Sequence, residues 1–338
     1  MNYKVVVLPD AVVYLSGLSF DEYYLDASAF GRFWERGVKP LKLIFNGDSD
    51  HVDLPGVSCP HISYGHVAAL GAHINYPIDS EPNVERMFDG LDEGIGWLHR
   101  DFDYSDNALF RHCVKYTETL GNYFPDREIK IGGLGLEGPV TTAVLLRGQD
   151  FYVDMHENPD GAKKFLELIT DSIISYRRFL RKINGEPEIG ADGTGLADDF
   201  AALVNPDMFE EFVIPYWNRY YEGLISGGRR SLHCEGLDRK HLKLLKKADI
   251  GHFDPTVSKK LTCRMLAEEL AIPYCWMLPS FEIAWMDKGE IESWACETAS
   301  HGPDFIFTEL DRMLMRSNGI EKMRQFLSAM GASGPTIA

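Results

Sequence analysis

Positive charge, paired cysteines and long apolar runs are all scarce in this sequence, and each shortage removes a class of function. Lysines and arginines number 34 against 51 aspartates and glutamates, giving a formal net charge of −17. Nucleic-acid backbones and anionic membrane surfaces recruit basic patches, so neither is expected as a partner. The cysteines Cys59, Cys113, Cys234, Cys263, Cys275 and Cys296 follow no framework spacing and form no C-x-x-C, which suits reduced thiols better than disulfides. No apolar run is long enough to span a bilayer, and the opening MNYKVVVLPDAVVYLSG is interrupted by Pro9 and Asp10. A cytoplasmic protein is expected. The phosphate loop G-x-x-x-x-G-K-[ST] does not occur, and no G-x-G-x-x-G is read as following a strand, so the two common nucleotide-binding sheets lose support.

What is present is ample material for a core: 45% hydrophobic and 12% aromatic residues in 338. A barrel of this length is often one domain, and the chain is expected to form one over 1–338. Residues 1–125 read as an irregular N-terminal part, with short strands at Val5–Leu8 and Leu41–Phe45 and a turn-rich Asp50–Val57. His51, His61, His66, His73 and His99 fall here in no ligand spacing and receive no role.

From residue 126 to 332 strands and helices alternate. Ile129–Leu136 is expected as a strand. Asn158-Pro159-Asp160 opens a helix with a cap, a proline at the first position and a favourable charge, and Phe165, Ile169, Ile173, Tyr176 and Leu180 form its apolar stripe. A strand over Asp192–Phe200 follows. Asn205-Pro206-Asp207 opens another helix, in which Pro215 should make a kink. Arg229–Glu235 is the next strand, and three more follow at Asp249–Phe253, Ile272–Leu278 and Asp304–Thr308. Such alternation with short connections implies a parallel sheet, and a closed (β/α)8 TIM barrel with N-terminal elaborations is the fold expected.

The chemistry-bearing residues keep one position in this pattern. Glu137, Asp198 and Asp199, His233 and Glu235, Asp254, and Glu309 and Asp311 all follow the C-terminal ends of expected strands, the face where barrels place active sites. Glu137, Asp198 and Asp199 are candidate catalytic carboxylates, although helix capping would serve for one of the two aspartates. On an extended backbone His233 and Glu235 point to one side and Cys234 to the other, which makes the first two candidate metal ligands.

The run ADDFAALVNPDMFEEFVIPYWNRYYEGLISGGRRSLHCEG, with EGPVTTAVLLRGQDFYVDMHENPDGAKKFLELI before it, resembles the uroporphyrinogen decarboxylase superfamily, which includes zinc-dependent cobamide methyltransferases. The resemblance covers about residues 130–330 and implies a (β/α)8 barrel. Decarboxylases of the superfamily carry an arginine-rich N-terminal segment. Here the first arginine is Arg32, in FGRFWERG, which does not reproduce it. Its thiol methyltransferases hold zinc through H-x-C and a distant second cysteine. His233 matches the histidine, but Glu235 stands at the first cysteine position, and Glu309 and Asp311 stand near the second, so the resemblance implies Glu309 as the candidate third ligand, with Asp311, Cys234 and Cys275 as alternatives. Oxygen ligands leave a harder Lewis acid than thiolates do, suited to polarising an oxygen. The resemblance therefore implies a zinc-dependent methyltransferase that takes a methyl group from a small methylated substrate, a methyl ether being one candidate, and passes it to a corrinoid on a partner protein. A metal-free decarboxylase or lyase acting on a small carboxylic acid, or a non-catalytic binding protein, are the alternatives.

Overall fold

The computed structural model describes residues 2–333, and the chain forms two compact units. One comprises the residues up to Val57 together with those from Pro255 onward, and the other is Ser58–Asp254.

In the first unit the strand Asn2–Val7 pairs in parallel with Phe305–Leu310, with Val5 opposite Thr308 and Val6 opposite Glu309. Val52–Asp53 flanks one side and Cys275–Leu278 the other, all parallel. Val5, Leu278, Ile306 and Leu310 are fully buried, and the helix Gly319–Ser333 packs against Lys288–Ser300. Parallel strands need helical crossovers, which bury both sheet faces and account for such apolar strands. The expected strand Leu41–Phe45 is instead part of a helix, Lys39–Ile44. Leu41 and Phe45 are buried while Leu43 is 79% exposed, a spacing of four that a helix satisfies and a strand would contradict.

The second unit is built around three parallel strands, Gly193–Ala197, Arg229–His233 and His252–Asp254. Their register sets Ala197 beside His233 and His233 beside Asp254. The 25-residue helix Pro159–Ile183 packs against the helices Leu91–Leu98, Pro139–Arg147, Asp150–Glu157 and Ile214–Leu224, with the expected stripe buried and the Asn158 side chain capping its start by accepting from Gly161 N. Pro215 divides rather than bends its segment: one helix covers Phe209–Phe212, Val213 leaves helical geometry, and Ile214–Leu224 begins anew with the proline in its first turn.

The expected strand over Ile129–Leu136 does not form, and only Leu134 makes an isolated bridge to Ile62. The cause is a close approach of backbones. A side chain at Gly133 would lie 2.7 Å from the Pro60 carbonyl, and one at Gly135 2.7 Å from that of Ile62. Gly133, Gly135 and Gly138 do have G-x-G-x-x-G spacing, but the run follows no strand, and these contacts explain its glycines. Among the described residues no helix is long and apolar enough to cross a membrane.

One buried histidine makes stability pH-dependent. His66 is 1% exposed, bonds Ser172 Oγ through Nε2 at 2.9 Å, and has a buried Nδ1 without a partner. Burial pushes it down from the usual value to about 3, so the unfolded chain binds the extra proton first as pH falls below about 6.5. Stability is lost progressively from there down to the folded-state value. Between pH 7.5 and pH 5 the parent should lose about 2 kcal/mol relative to His66→Gln, read from urea unfolding at the two pH values.

Candidate functional site

The C-terminal ends of the three strands in the second unit carry the candidate site. The register puts Ala197, His233 and Asp254 in one row, and two further backbone bonds extend it: Asp198 N to His233 O at 3.1 Å and Cys234 N to Asp254 O at 3.1 Å. The strand residues Gly195, Leu196, Ala197, Arg229, Ser231, Leu232, His233, His252 and Asp254 line a cavity of about 810 Å³, and Leu196, Leu232 and Phe253 are buried.

Both ring nitrogens of His233 meet carboxylates. Nδ1 lies 3.1 Å from Asp254 Oδ2, and since a carboxylate only accepts, Nδ1 carries the proton. Nε2 faces Asp199 Oδ1 at 3.5 Å, which is long for a hydrogen bond. Asp199 Oδ1 is itself fixed by the Glu235 backbone N–H at 2.8 Å. Burial alone would push His233 down, but the Asp254 hydrogen bond and the charges of Asp199, Asp254 and Glu235 outweigh it and bring it up to about 9.

Asp198 lies on the other side of the row and is wholly buried. Its Oδ1 accepts from Thr141 N at 2.7 Å, and its Oδ2 from Val140 N at 3.3 Å and Trp217 Nε1 at 2.7 Å. It thus caps the helix Pro139–Arg147, which has no cap of its own, and ties it to the helix Ile214–Leu224. A side chain at Gly138 would lie 2.4 Å from Asp198 Cβ, so that glycine is needed for the approach. These contacts give Asp198 a positioning role.

Glu137 stands at the start of the same helix, half-buried. Burial pushes its carboxyl up, Asp199 and Asp198 push it further, and the Ser63 hydrogen bond and His233 pull back, leaving it at about 7. A carboxyl held there is poised to give or take a proton.

The remaining candidates have the following places in their own units. The strand ends at His233, so Glu235 sits in the following turn and reaches the site through its backbone and its charge rather than as the next residue on a strand face. The Cys234 thiol is buried and donates to Asp198 O at 3.1 Å, and burial raises it well above the ordinary range, which disfavours a thiolate. Glu309 lies within a strand of the first unit, opposite Val6. Asp311 caps the helix Arg312–Met315 and accepts from Ser280 Oγ at 2.6 Å. Cys275 packs with Met277 and Phe307 in that unit.

The donor set bears on a metal in a definite way. Two ligands of a tetrahedral zinc at the usual bond lengths stand roughly 3.3 Å apart, and His233 Nε2 and Asp199 Oδ1, at 3.5 Å, are near that separation. Asp254 on the opposite nitrogen is the carboxylate that commonly orients a zinc-bound histidine. The chemistry of this pair fits a divalent metal. Among the described residues no three His, Cys, Asp or Glu side chains are grouped as a complete metal cage, so the geometry supplies two converged donors and an orienting partner.

Sequence spacing offered Asp199 as a catalytic carboxylate and not as a companion to His233, and it gave no sign of Thr141 and Trp217 as the anchors of Asp198. It also missed Lys130, Arg177 and Arg181, which line the cavity.

A family model for uroporphyrinogen decarboxylase (URO-D) matches residues 61–272. Among solved structures, a methyltransferase from Methanosarcina mazei aligns with a TM-score of 0.67 and 17% sequence identity, covering 98% of this chain and 93% of that one. At that identity the likeness is one of fold. No curated protein sequence matches the chain. The α/β barrel class expected from the strand–helix alternation is borne out by these two matches together with the parallel strands.

Proposed function

The chain belongs to the uroporphyrinogen decarboxylase family, and on that premise we propose that it is a zinc-dependent methyltransferase that moves a methyl group from a small methylated substrate to a corrinoid carried by a partner protein. The observation that carries this reading is the placing of His233. Its Nδ1 is held by Asp254 and its Nε2 is left facing Asp199 Oδ1 at ligand-to-ligand separation. The fold it shares with a methyltransferase supports the same direction.

In this reading His233 and Asp199 hold the metal, and Glu235, two residues beyond the histidine, supplies the further carboxylate. A bound zinc ion would contribute Lewis acidity toward the substrate heteroatom. Asp254 keeps His233 in the tautomer whose Nε2 presents its lone pair to a metal. Asp198 and Gly138 fix the helix that follows Glu137, and so the place of Glu137 beside the site. When a methyl ether is the substrate, the methyl carbon leaves with the carbon–oxygen bond pair remaining on oxygen. Glu137 would provide the proton that the departing oxygen needs, and the corrinoid, when bound, would supply the methyl acceptor.

A second reading is a metal-free decarboxylase or lyase acting on a small acid. It is favoured by the cationic residues lining the cavity and by a His233 that is protonated at neutral pH without a metal. Incubating the purified protein with zinc, reduced cobalamin and a panel of methyl ethers, thioethers and methylamines separates the two. Formation of methylcobalamin from at least one donor is the expected outcome, with Glu137→Gln slowed about 100-fold or more for an ether. Absence of methyl transfer from every donor, with carbon dioxide released from a small acid, would establish the second reading instead.

A further inference from the structure

Two buried thiols meet behind the cavity wall. Cys59 lies in the segment that leads to the wall residue His61, and Cys113 lies in the helix Ala108–Tyr123. They are 2% and 0% exposed, and both are free. A Cβ built on Gly133 would stand 2.9 Å from Cys59 Sγ and 3.2 Å from Cys113 Sγ, so the two sulfurs flank one point. The thiols are hydrogen-bonded to each other. That bond, then burial and the charge of Cys113, hold Cys59 above its ordinary value, which makes Cys59 the donor that keeps its proton. Gly133 itself lines the cavity and has no side chain to stand between the sulfurs and a small solute there. A single buried thiol is inert, whereas two in contact give an oxidised sulfur an immediate thiol to condense with.

We propose that Cys59 and Cys113 are a modification site, a dithiol that a peroxide entering through the cavity converts to an intramolecular disulfide. The Cys113 sulfur, having given up its proton, attacks one peroxide oxygen. The O–O bond breaks, the departing hydroxide takes a proton to become water, and Cys113 is left as a sulfenic acid. The Cys59 sulfur then attacks that sulfur, the S–O bond breaks, and the Cys59 proton leaves with the hydroxide as a second water. Two thiols are oxidised by two electrons and one peroxide is reduced to two waters. The new bond is felt at the candidate site, because the residues after Cys59 are stitched to the wall by Ile62 N to Gly133 O at 3.1 Å, Gly135 N to Ile62 O at 2.8 Å and His66 N to Gly135 O at 3.0 Å. Ser63, within that run, hydrogen-bonds Glu137. Drawing the sulfurs from hydrogen-bond contact into a covalent bond shifts this segment and the carboxyl it holds. The disulfide chemistry stands on the sulfurs alone, while its effect on turnover rests on the role given to Glu137 in methyl transfer.

The test is peroxide treatment of the folded full-length protein carrying Cys296→Ala, which removes the exposed thiol, followed by alkylation in denaturant and non-reducing peptide mass analysis. Peptides containing Cys59 and Cys113 should be linked, two thiols should be lost, and dithiothreitol should restore both. Methyl transfer should slow about tenfold or more on oxidation and recover on reduction, since a small displacement of a catalytic group costs at least that much. Cys59→Ala and Cys113→Ala should lose this sensitivity to peroxide. The linkage is read on the unaltered sulfurs, so it does not depend on either variant folding, and a failure to find methyl transfer does not count against it. Both thiols still open to alkylation after peroxide, a linkage that forms only in urea, or a Cys113 oxidised without linkage would each overturn the dithiol site. A linked protein with unchanged turnover would overturn the coupling to Glu137.

Discussion

Asp198→Ala should lower stability by about 3–5 kcal/mol, the range for removing one partner from a buried, charge-assisted network. The side chain is wholly buried and accepts three hydrogen bonds, from Thr141 N, Val140 N and Trp217 Nε1. Its removal leaves an indole N–H and a helix N-terminus facing a void. The Trp217 ring is itself fully buried and packs edge-on against Phe209 at 5.3 Å, so it cannot turn outward to find water. For a chain of this size the loss corresponds to a fall in melting temperature of roughly 5–10 °C. Asp198→Asn should fall between, because the amide oxygen can still accept while its NH₂ group confronts donors. A calorimetric scan at fixed pH reads both. A melting temperature unchanged in Asp198→Ala would mean that the carboxylate does not fasten the two helices to the strand ends.

The second large effect concerns activity. His233→Ala should reduce methyl transfer by about 10³-fold or more, since it removes the one nitrogen donor of the proposed metal pair, and Lewis-acid stabilisation amounts to several kcal/mol. Asp254→Asn should have a smaller effect, about 10–100-fold, because it disturbs the orientation and basicity of the imidazole and leaves the donor in place. Cys234→Ala should retain its metal and most of its activity, as that thiol points to Asp198 O and lies outside the cavity. The ordering discriminates between sites. A thiolate-centred site would give its largest loss at Cys234, whereas the pair described here gives it at His233. Steady-state rates at saturating corrinoid, measured side by side for the three variants, provide the comparison.

How far the sequence anticipated this structure varies with the kind of order each segment has. The start and the buried face of the helix Pro159–Ile183 were legible, since its cap, its proline and a stripe at helical spacing all agree. The strands Gly193–Ala197 and Arg229–His233 were legible too, although their exact ends were not. The segment around Leu41 misled because Leu41, Leu43 and Phe45 alternate as a strand would, and only packing decides that Leu43 faces solvent. The glycines of 132–135 read as a small-residue strand, but their function is to let two backbones approach, which no local pattern records. At the site, the His-Cys-Glu cluster at a strand end was visible directly. Its partners were not, because Asp199 and Asp254 come to His233 through the parallel register of three strands, across separations of 34 and 21 residues that carry no local signal. Arg177 and Arg181 were hidden for a different reason. Basic residues near the end of a helix are ordinarily solvated and favoured by the dipole, and only the cavity beside them distinguishes this pair.

The central claim is that His233 and Asp199 form one metal site, and the measurement that bears on it most directly is the zinc content of the purified protein by elemental analysis, compared among the parent, His233→Ala, Asp199→Ala and Cys234→Ala. The account predicts about one zinc per chain in the parent and in Cys234→Ala, and loss of it in the other two. A parent that takes up no zinc after reconstitution under reducing conditions, or an Asp199→Ala variant that retains it fully, would contradict the account.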